Sequence, residues 1–389
     1  MREINKIYIA SFLQGFGIVA SVTYTLFFLS NGLSQTQIGI LFSFFMITLA
    51  LLEIPTGGFA DTIGHKSSIA LGTFLLSLSF LILAIGTNFN IFILAMLFAS
   101  AGLAFQSGAT SSLIHDILHK INAVDQFEKV QGRMNSIFLL SAVIGAPLGA
   151  FLFEHNKRIP YFIAFLTTLL SSFIMYIIKW EFHQKHEISF KTYFQKIHKG
   201  VLLTITNQRL LAFVLITIAL TTMRLVFNQN ISQPYLLSVG VSVSFIGILA
   251  AITSIILASI HAFTYKISGK IGDTKSLIIM IALPSLCAIV LGYLYTPLAI
   301  VFLILLQVGH AYKEPVMAKL TQKELNDENR STMASTTSFL SSFVVGLLLP
   351  VWGNTIDSVG LHTTSIYIGL FTFAIGIFAV LLYVRRTNR

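Results

Sequence analysis

The sequence predicts an all-α membrane protein whose twelve crossing helices form two six-helix bundles of related design. Three observations carry that prediction. Hydrophobic residues make up 55% of the 389-residue chain and charged residues only 10%, more apolar surface than a folded core of this size can hide from water. The apolar residues are gathered into runs long enough to cross a bilayer core, about 30 Å thick and spanned by about 20 helical residues. The basic residues are confined almost entirely to alternate connections between those runs, the pattern that orients membrane helices.

In order, the spans are expected near 7–29, 36–57, 68–86, 90–113, 134–153, 160–179, 209–231, 244–265, 276–294, 297–320, 332–353 and 363–384. The first follows Met1-Arg2-Glu3 and superficially looks like a signal peptide. It is too long for one, lacks a clear small-residue cleavage site and leads into further spans, so it reads as a retained helix. The second and third are joined by a short, charged, glycine-rich link. The fourth ends in Ser107-Gly108-Ala109-Thr110-Ser111-Ser112, and the fifth carries Gly145-Ala146-Pro147-Leu148-Gly149-Ala150, small residues suited to close helix packing. After the sixth comes the longest polar stretch, Trp180–Gln208, which separates a bundle over 1–180 from one over 209–389. Within the linker 181–208, Phe190, Tyr193, Phe194, Ile197 and Val201 recur at helical spacing among Lys191, Lys196 and Lys199. That pattern predicts a helix lying in the cytoplasmic interface. Of the later spans, the seventh contains Arg224, the ninth the single cysteine Cys287, and the tenth the polar run Gln307–Pro315. One cysteine excludes an intrachain disulfide and reads as a packing residue.

The halves read as degenerate copies. The link Lys266–Lys275 stands where the first half has Gly57–Lys66, with Gly272 and Lys275 echoing Gly64 and Lys66, although Gly269 replaces Asp61. Arg330 and Met333 likewise echo Arg133 and Met134. Such echoes suit parallel repeats related by an axis along the membrane normal.

The net charge is +10, yet its placement argues against nucleic acid. With both termini cytoplasmic, every Lys and Arg except Lys157, Arg158, Arg224 and Lys313 falls on the inner side. The chain is therefore expected to be a multi-pass protein of the cytoplasmic (inner) membrane, with lipid as its partner. No phosphate-cradling G-x-x-x-x-G-K-[ST], H-E-x-x-H or paired-cysteine spacing occurs. Neither an enzyme nor a cofactor or metal site is expected.

The link Gly57-Gly58-Phe59-Ala60-Asp61-Thr62-Ile63-Gly64-His65-Lys66 resembles the signature loop of the major facilitator superfamily, G-x-L-A-D-R-x-G-R-K, between that family's second and third helices. Thr62 and His65 stand where the family pattern favours arginine, so the charge network is thinner. The resemblance implies the family's fold: two pseudo-symmetric bundles that rock about a midplane site and carry a small-molecule solute, driven by an ion gradient. Protons are the expected coupling ion and a monomer the expected state. It also implies gating roles for Gly57, Asp61, Gly64 and Lys66, which Glu53 is expected to join; an Asp116–Arg133 pair at the cytoplasmic edge is either a gate latch or an ordinary interfacial ion pair. The Gly145–Ala150 run is partly similar to the glycine-proline motif of the family's antiporters.

In that family the first, fourth, seventh and tenth helices face the solute path. The corresponding candidates here are Gln14 and Tyr24, Gln106, Arg224, and Gln307. Gln307, His310 and Glu314 fall at i, i+3 and i+7, one helix face, and Pro315 loosens the helix beside them. An ionisable residue at the centre of a span costs about 2.5–3.5 kcal/mol on insertion scales. Each therefore needs a partner or a task. Glu314 is the expected proton carrier with His310 as its neighbour, the alternative being a local Lys313–Glu314 arrangement. Arg224 is expected to bind an anionic solute group or to hold a carboxylate, the alternative being a pairing with helix termini. The first span has no carboxylate, unlike many proton-coupled multidrug exporters of the family.

The resulting expectation is proton-coupled export of a small organic compound, a drug or metabolite. The alternatives are an uptake symporter for a nutrient or organic anion, and a non-transporting receptor or assembly factor. The topology has its own test: accessibility labelling should reach Lys191 and Arg386 from the same, cytoplasmic face. Labelling from opposite faces would dismantle the twelve-span arrangement.

Overall fold

In hydrocarbon, a helix satisfies its backbone hydrogen bonds internally, without borrowing from solvent. Among the described residues the chain is accordingly helix, turn and short connection, with no strand. The computed structural model describes residues 2–179, 190–325 and 327–385.

The first crossing is built from α1 (Arg2–Gly15), α2 (Ile18–Ser21) and α3 (Tyr24–Ser30), with a bend of 44° before α3. α4 (Gln35–Ile63) and α5 (His65–Ile85) follow. α6 (Phe89–Gln106) and α7 (Ala109–Lys120) form one run interrupted at Ser107 and Gly108, and α8 (Phe127–His155) and α9 (Ile159–Tyr176) complete the first half. After α10 (Phe190–Thr206), α11 (Gln208–Val226) passes through a π-helical turn, Phe227–Ile231, into α12 (Ser232–Ser238). α13 (Val243–Ile271), α14 (Asp273–Leu291), α15 (Ala299–Glu324) and α16 (Asp327–Arg385) finish the chain. Length and apolar character mark ten crossings among these residues, or eleven with the bent first pair. The last, Thr332–Arg385, has 54 residues, about 80 Å of helix, and is broken at Gly360, where φ is 83°. Read as two crossings, it brings the number to the expected twelve.

Large apolar side chains such as Leu166, Phe173, Leu286 and Phe378 are more than half exposed, as a lipid-covered surface requires. Hydrophobic burial does not favour helix association in lipid, so small hydroxyls bind neighbouring backbones instead. Ser68 donates to the Phe105 carbonyl at 2.6 Å, Ser171 to Ala10 at 2.8 Å, and Thr56 to Ala104 at 3.0 Å.

The chain forms two compact units. The first comprises Met1–Leu33, Phe44–Tyr193 and Val243–Ser254; the second comprises Ser34–Ser43, Phe194–Ser242 and Ile255–Arg389. Each unit thus takes in the first turns of a helix from the other half of the sequence. Both borrowed helix starts are capped by a carboxylate of the unit that receives them. In the first, Glu154 near the end of α8 accepts from the Ser244 backbone N–H at 2.9 Å and its hydroxyl at 2.6 Å. In the second, Asp357 of α16 accepts from the N–H groups of Gln35 and Thr36 at 3.0 and 2.8 Å, and from the Thr36 hydroxyl at 2.6 Å. The caps satisfy N–H groups that a helix start leaves unpaired and set negative charge at the positive end of its dipole. α4 and α13 are the second and eighth spans, α8 and the start of α16 the fifth and eleventh, so one device occurs in both repeats.

The linker helix expected in the membrane interface is α10. The side chains of Phe190–Phe194 and Lys196 lie outside the described residues. Its later turns pack within the second unit: Ile197 is buried, Gly200 lies against Thr336 with no room for a Cβ, and Thr204 donates to the Met333 sulfur at 3.8 Å.

Glu154→Ala and Asp357→Ala should each lower the stability of the purified protein by about 1 kcal/mol, the usual worth of a helix N-cap. The two losses should add in the double variant, since the caps share no partner. Unchanged melting of either single variant would show that its carboxylate is not holding the helix start.

Candidate functional site

The glycine-rich link is shorter than its sequence suggests. α4 runs on through Gly57 and Gly58 to Ile63, and the turn contracts to Gly64, at φ 93° and ψ 146°. Gly272 takes the same conformation between α13 and α14, at φ 88° and ψ 163°. Only glycine adopts such positive φ cheaply. The residue after each glycine bridges to the fourth span of its own repeat. His65 Nδ1 lies 2.9 Å from Asp116 on α7, whereas Asp273 pairs with Lys319 and Lys323 of α15 at 3.0 and 2.6 Å. The bridges match in position, a histidine facing an acid in the first and an acid facing two lysines in the second.

Asp116 therefore meets His65 rather than the expected Arg133, which lies well inside α8 with its side chain exposed. Lys66 donates to the Ile178 carbonyl at 3.0 Å just beyond the end of α9, its ammonium 5.7 Å from the centre of the Tyr176 ring. Glu53 accepts from Ser107 at 3.3 Å, beside the break between α6 and α7. The Asp61 side chain lies outside the described residues.

In the interior of the first unit, Gln14 donates to Gln106 at 2.6 Å, and the Gln106 amide donates in turn to the Gly102 carbonyl at 3.1 Å. Both glutamines sit at helix breaks. Gln14 is the penultimate residue of α1, and Gln106 is the last of α6. Tyr24 stacks on the buried Tyr161 with ring centres 5.9 Å apart.

The second unit repeats the amide pair. Gln307 of α15 donates to Asn228, which lies in the π turn that follows α11. Such turns mark functional positions in many helices. Asn230 of the same turn donates to the backbone and side-chain oxygens of Gln35 at 3.1 and 2.9 Å. Below Asn228 the surroundings turn cationic. Lys313 is buried and donates to the Thr221 hydroxyl at 3.3 Å. Arg224, one helical turn from Thr221, is half-buried, and its Nε is enclosed without a hydrogen-bond partner. His310 is buried; its Nε2 is 3.9 Å from Glu314 and its Nδ1 has no partner. The Glu314 side chain is 61% exposed. Among the described residues it forms no ion pair with Lys313 or Arg224.

Sequence reasoning singled out Gln14, Gln106, Arg224, Gln307, His310 and Glu314 but passed over Thr221 and Asn228. Their spacing from Arg224, three before and four after, is a helix-face signal that was open to reading. A groove of about 770 Å³ between α5 and α9 is lined by Phe74, Leu166, Leu170 and Phe173, with Ser67 and Ser172 its polar members. Ser172 is already committed to the Ala70 carbonyl, so the groove offers a polar solute little.

The family model of the Major Facilitator Superfamily matches residues 7–346. The Quinolone resistance protein NorA of Staphylococcus aureus is 26% identical over 221 residues, covering 57% of this chain and 55% of that one. Multidrug resistance protein 2 of Bacillus subtilis is 24% identical over 250 residues, covering 62% and 60%. The chain thus spans little more than half the length of these curated relatives. Among solved structures, the nucleoside transporter NupG is similar at a TM-score of 0.82 with 15% identity, over 98% of this chain and 99% of that one. A variant of the peptide transporter POT is similar at 0.78 with 13% identity, over 98% and 94%. At such identities the likeness is one of fold alone.

Replacing one member of an interior amide pair strands the other. Gln14→Leu and Gln106→Leu should each cost about 0.5–1.5 kcal/mol, the net worth of a half-buried hydrogen bond. The double variant should recover part of that loss. Melting curves in which the double variant is the least stable of the set would contradict the pairing.

Proposed function

Because the chain belongs to the Major Facilitator Superfamily, we propose that it is a secondary active transporter exporting a small organic compound, a drug or metabolite, in exchange for protons. Members of that family are transporters rather than enzymes. The observation that carries the reading is an amide pair joining the first and fourth spans of each repeat, beside helix breaks in the first and from a π turn in the second. Interrupted helices with polar side chains are how transporters build solute sites within a bilayer. The outward direction is supported by the names of two relatives, which speak of quinolone and multidrug resistance.

For coupling, the reading assigns the proton to Glu314, the carboxyl beside His310 in α15. The protein acts as a monomer in the cytoplasmic membrane with both termini inside. Gating falls to the single-glycine turns and the bridges beside them, with Asp61 as a latch in the first link. The His65–Asp116 partners are 17% and 33% exposed. Ion pairs as accessible as these are worth about 0–1 kcal/mol, weak enough to be broken and remade in every cycle.

Everted membrane vesicles with an acid lumen should accumulate a labelled quinolone, or whichever solute of a screened panel raises the melting temperature of the protein. Accumulation should stop when a protonophore collapses the gradient. Solute gathered by intact cells rather than expelled would make the protein an importer. Glu314→Gln should abolish gradient-driven movement while sparing solute-for-solute exchange. Undiminished uphill transport in that variant would remove Glu314 from the coupling.

A further inference from the structure

We propose that the interior of the second unit is an anion site, in which Arg224 and Lys313 together bind the carboxylate, sulfonate or phosphate group of an organic acid. The inference rests on the transport reading above and names the chemical class of its solute.

Two cations share one face. Lys313 reaches Thr221 at 3.3 Å, and Thr221 lies three residues before Arg224, where neighbouring side chains of a helix meet. Lys313 is withdrawn from solvent and Arg224 is half-buried. Lys313 is buried with only the neutral Thr221 hydroxyl on its ammonium, and the Arg224 Nε is enclosed with no acceptor at all. Among the described residues neither has a carboxylate within ion-pairing distance.

Glu314 is the obvious candidate to balance them; its charge is felt by both, yet it stands at ion-pairing distance from neither. It follows Lys313 directly in α15, and adjacent helical residues point about 100° apart, so they do not face one another. Its side chain is mostly exposed, and its 3.9 Å approach is to His310 rather than to either cation. A structural role for Arg224 and Lys313 would have left them paired with protein acceptors, because a buried charge is otherwise costly. Two neighbouring cations, one buried and one half-buried, with unfilled hydrogen-bonding capacity are suited to an anion that comes and goes.

The geometry suits a compact anionic head. A guanidinium presents several N–H donors in a flat fork and an ammonium a single point charge, and together they can hold two oxygens of one group. Asn228 and Gln307, paired with one another beside Arg224, add neutral polar groups for the part of the solute next to the charge. A lipid phosphate carries the same chemistry, so the test separates the two sources.

Purified protein in non-ionic detergent without added lipid is titrated with benzoate, benzenesulfonate and phenyl phosphate. Benzamide serves as a neutral mimic, benzamidine as a cationic one, and phosphatidylglycerol is tested alone. Thermal unfolding reports binding, independently of flux. At least one of the three acids should raise the melting temperature, and benzamide and benzamidine should not. Arg224→Gln and Lys313→Gln should each weaken that acid by about tenfold to a hundredfold, the range for losing a hydrogen bond to a charged group. Arg224→Lys and Lys313→Arg, which keep the charge, should retain part of the affinity and show that the variants still fold. Stabilisation by benzamide or benzamidine as strong as by the acids would overturn the site. So would a response to phosphatidylglycerol and to no acid, no response at all, or acid binding unaltered in both glutamine variants. Vesicle accumulation of a solute without anion binding would defeat this inference alone. Anion binding without gradient-driven flux would instead defeat the transport reading and leave the anion site standing.

Discussion

A bilayer interior offers no hydrogen-bond partners, and the arrangement of polar groups in this chain follows from that single constraint. Many hydroxyl side chains in the spans bind a carbonyl of their own helix or of a neighbour, as Ser68, Ser171 and Thr56 do. The larger amides have four hydrogen-bonding positions and cannot be satisfied so simply. Several occur where a helix is interrupted: Gln14 and Gln106 beside breaks, Asn228 and Asn230 in a π turn, whereas Gln307 reaches Asn228 from within α15. Interruption and polar side chain belong together, because an irregular backbone frees groups that only another polar group can satisfy.

The same constraint explains what the two repeats preserve. Backbone devices are held in common: the single-glycine turns at Gly64 and Gly272, the carboxylate caps of Glu154 and Asp357, and one amide pair per unit. The charges attached to those devices have diverged. The bridge after the first glycine sets a histidine against an acid, and the bridge after the second sets an acid against two lysines. An acid can face its partner from either side of the bridge, so the charge pattern is free to drift. A residue held at φ near 90° has no such freedom.

Much of this was legible in the sequence. Hydropathy and the asymmetry of Lys and Arg gave the spans, and the cost of charge in lipid drew attention to Arg224, Lys313 and Glu314. Sequence pattern could not supply partners. Lys313 and Thr221 are 92 residues apart, and Asp357 lies 321 residues from the Thr36 it caps. Such contacts depend on the register between helices, which hydrophobic periodicity leaves open. The extent of the signature link also escaped, because two adjacent glycines read as a turn. In α4 they remain helical, where the intrahelical hydrogen bonds lost at a break would be hard to replace. Arg133 was matched to Asp116 from closeness along the chain, whereas the one-residue turn at Gly64 delivers His65 to that carboxylate first.

The halves differ most in charge, and the difference has a direction. In the interior of the first unit the candidate groups are neutral: Gln14, Gln106 and Tyr24. In the second, α15 carries Lys313 within the span and Lys319 and Lys323 towards its end, with Asp273 engaging the latter two. Among the described residues, Lys319, Lys323 and Arg209 against Asp273 and Glu324 leave that end of the helix with one net positive charge, its nearest member about 9 Å along the axis from Lys313. That separation slightly exceeds the Debye length of about 8 Å at physiological salt, so the positive end of α15 acts only weakly on the buried site. On the proposed export route, with that end facing the cytoplasm, an organic anion would pass the positive end of α15 before it reached Arg224. A cation would meet repulsion at both places, and the same helix that would hold an anion therefore discriminates against the positively charged drugs that a carboxylate-lined path would admit.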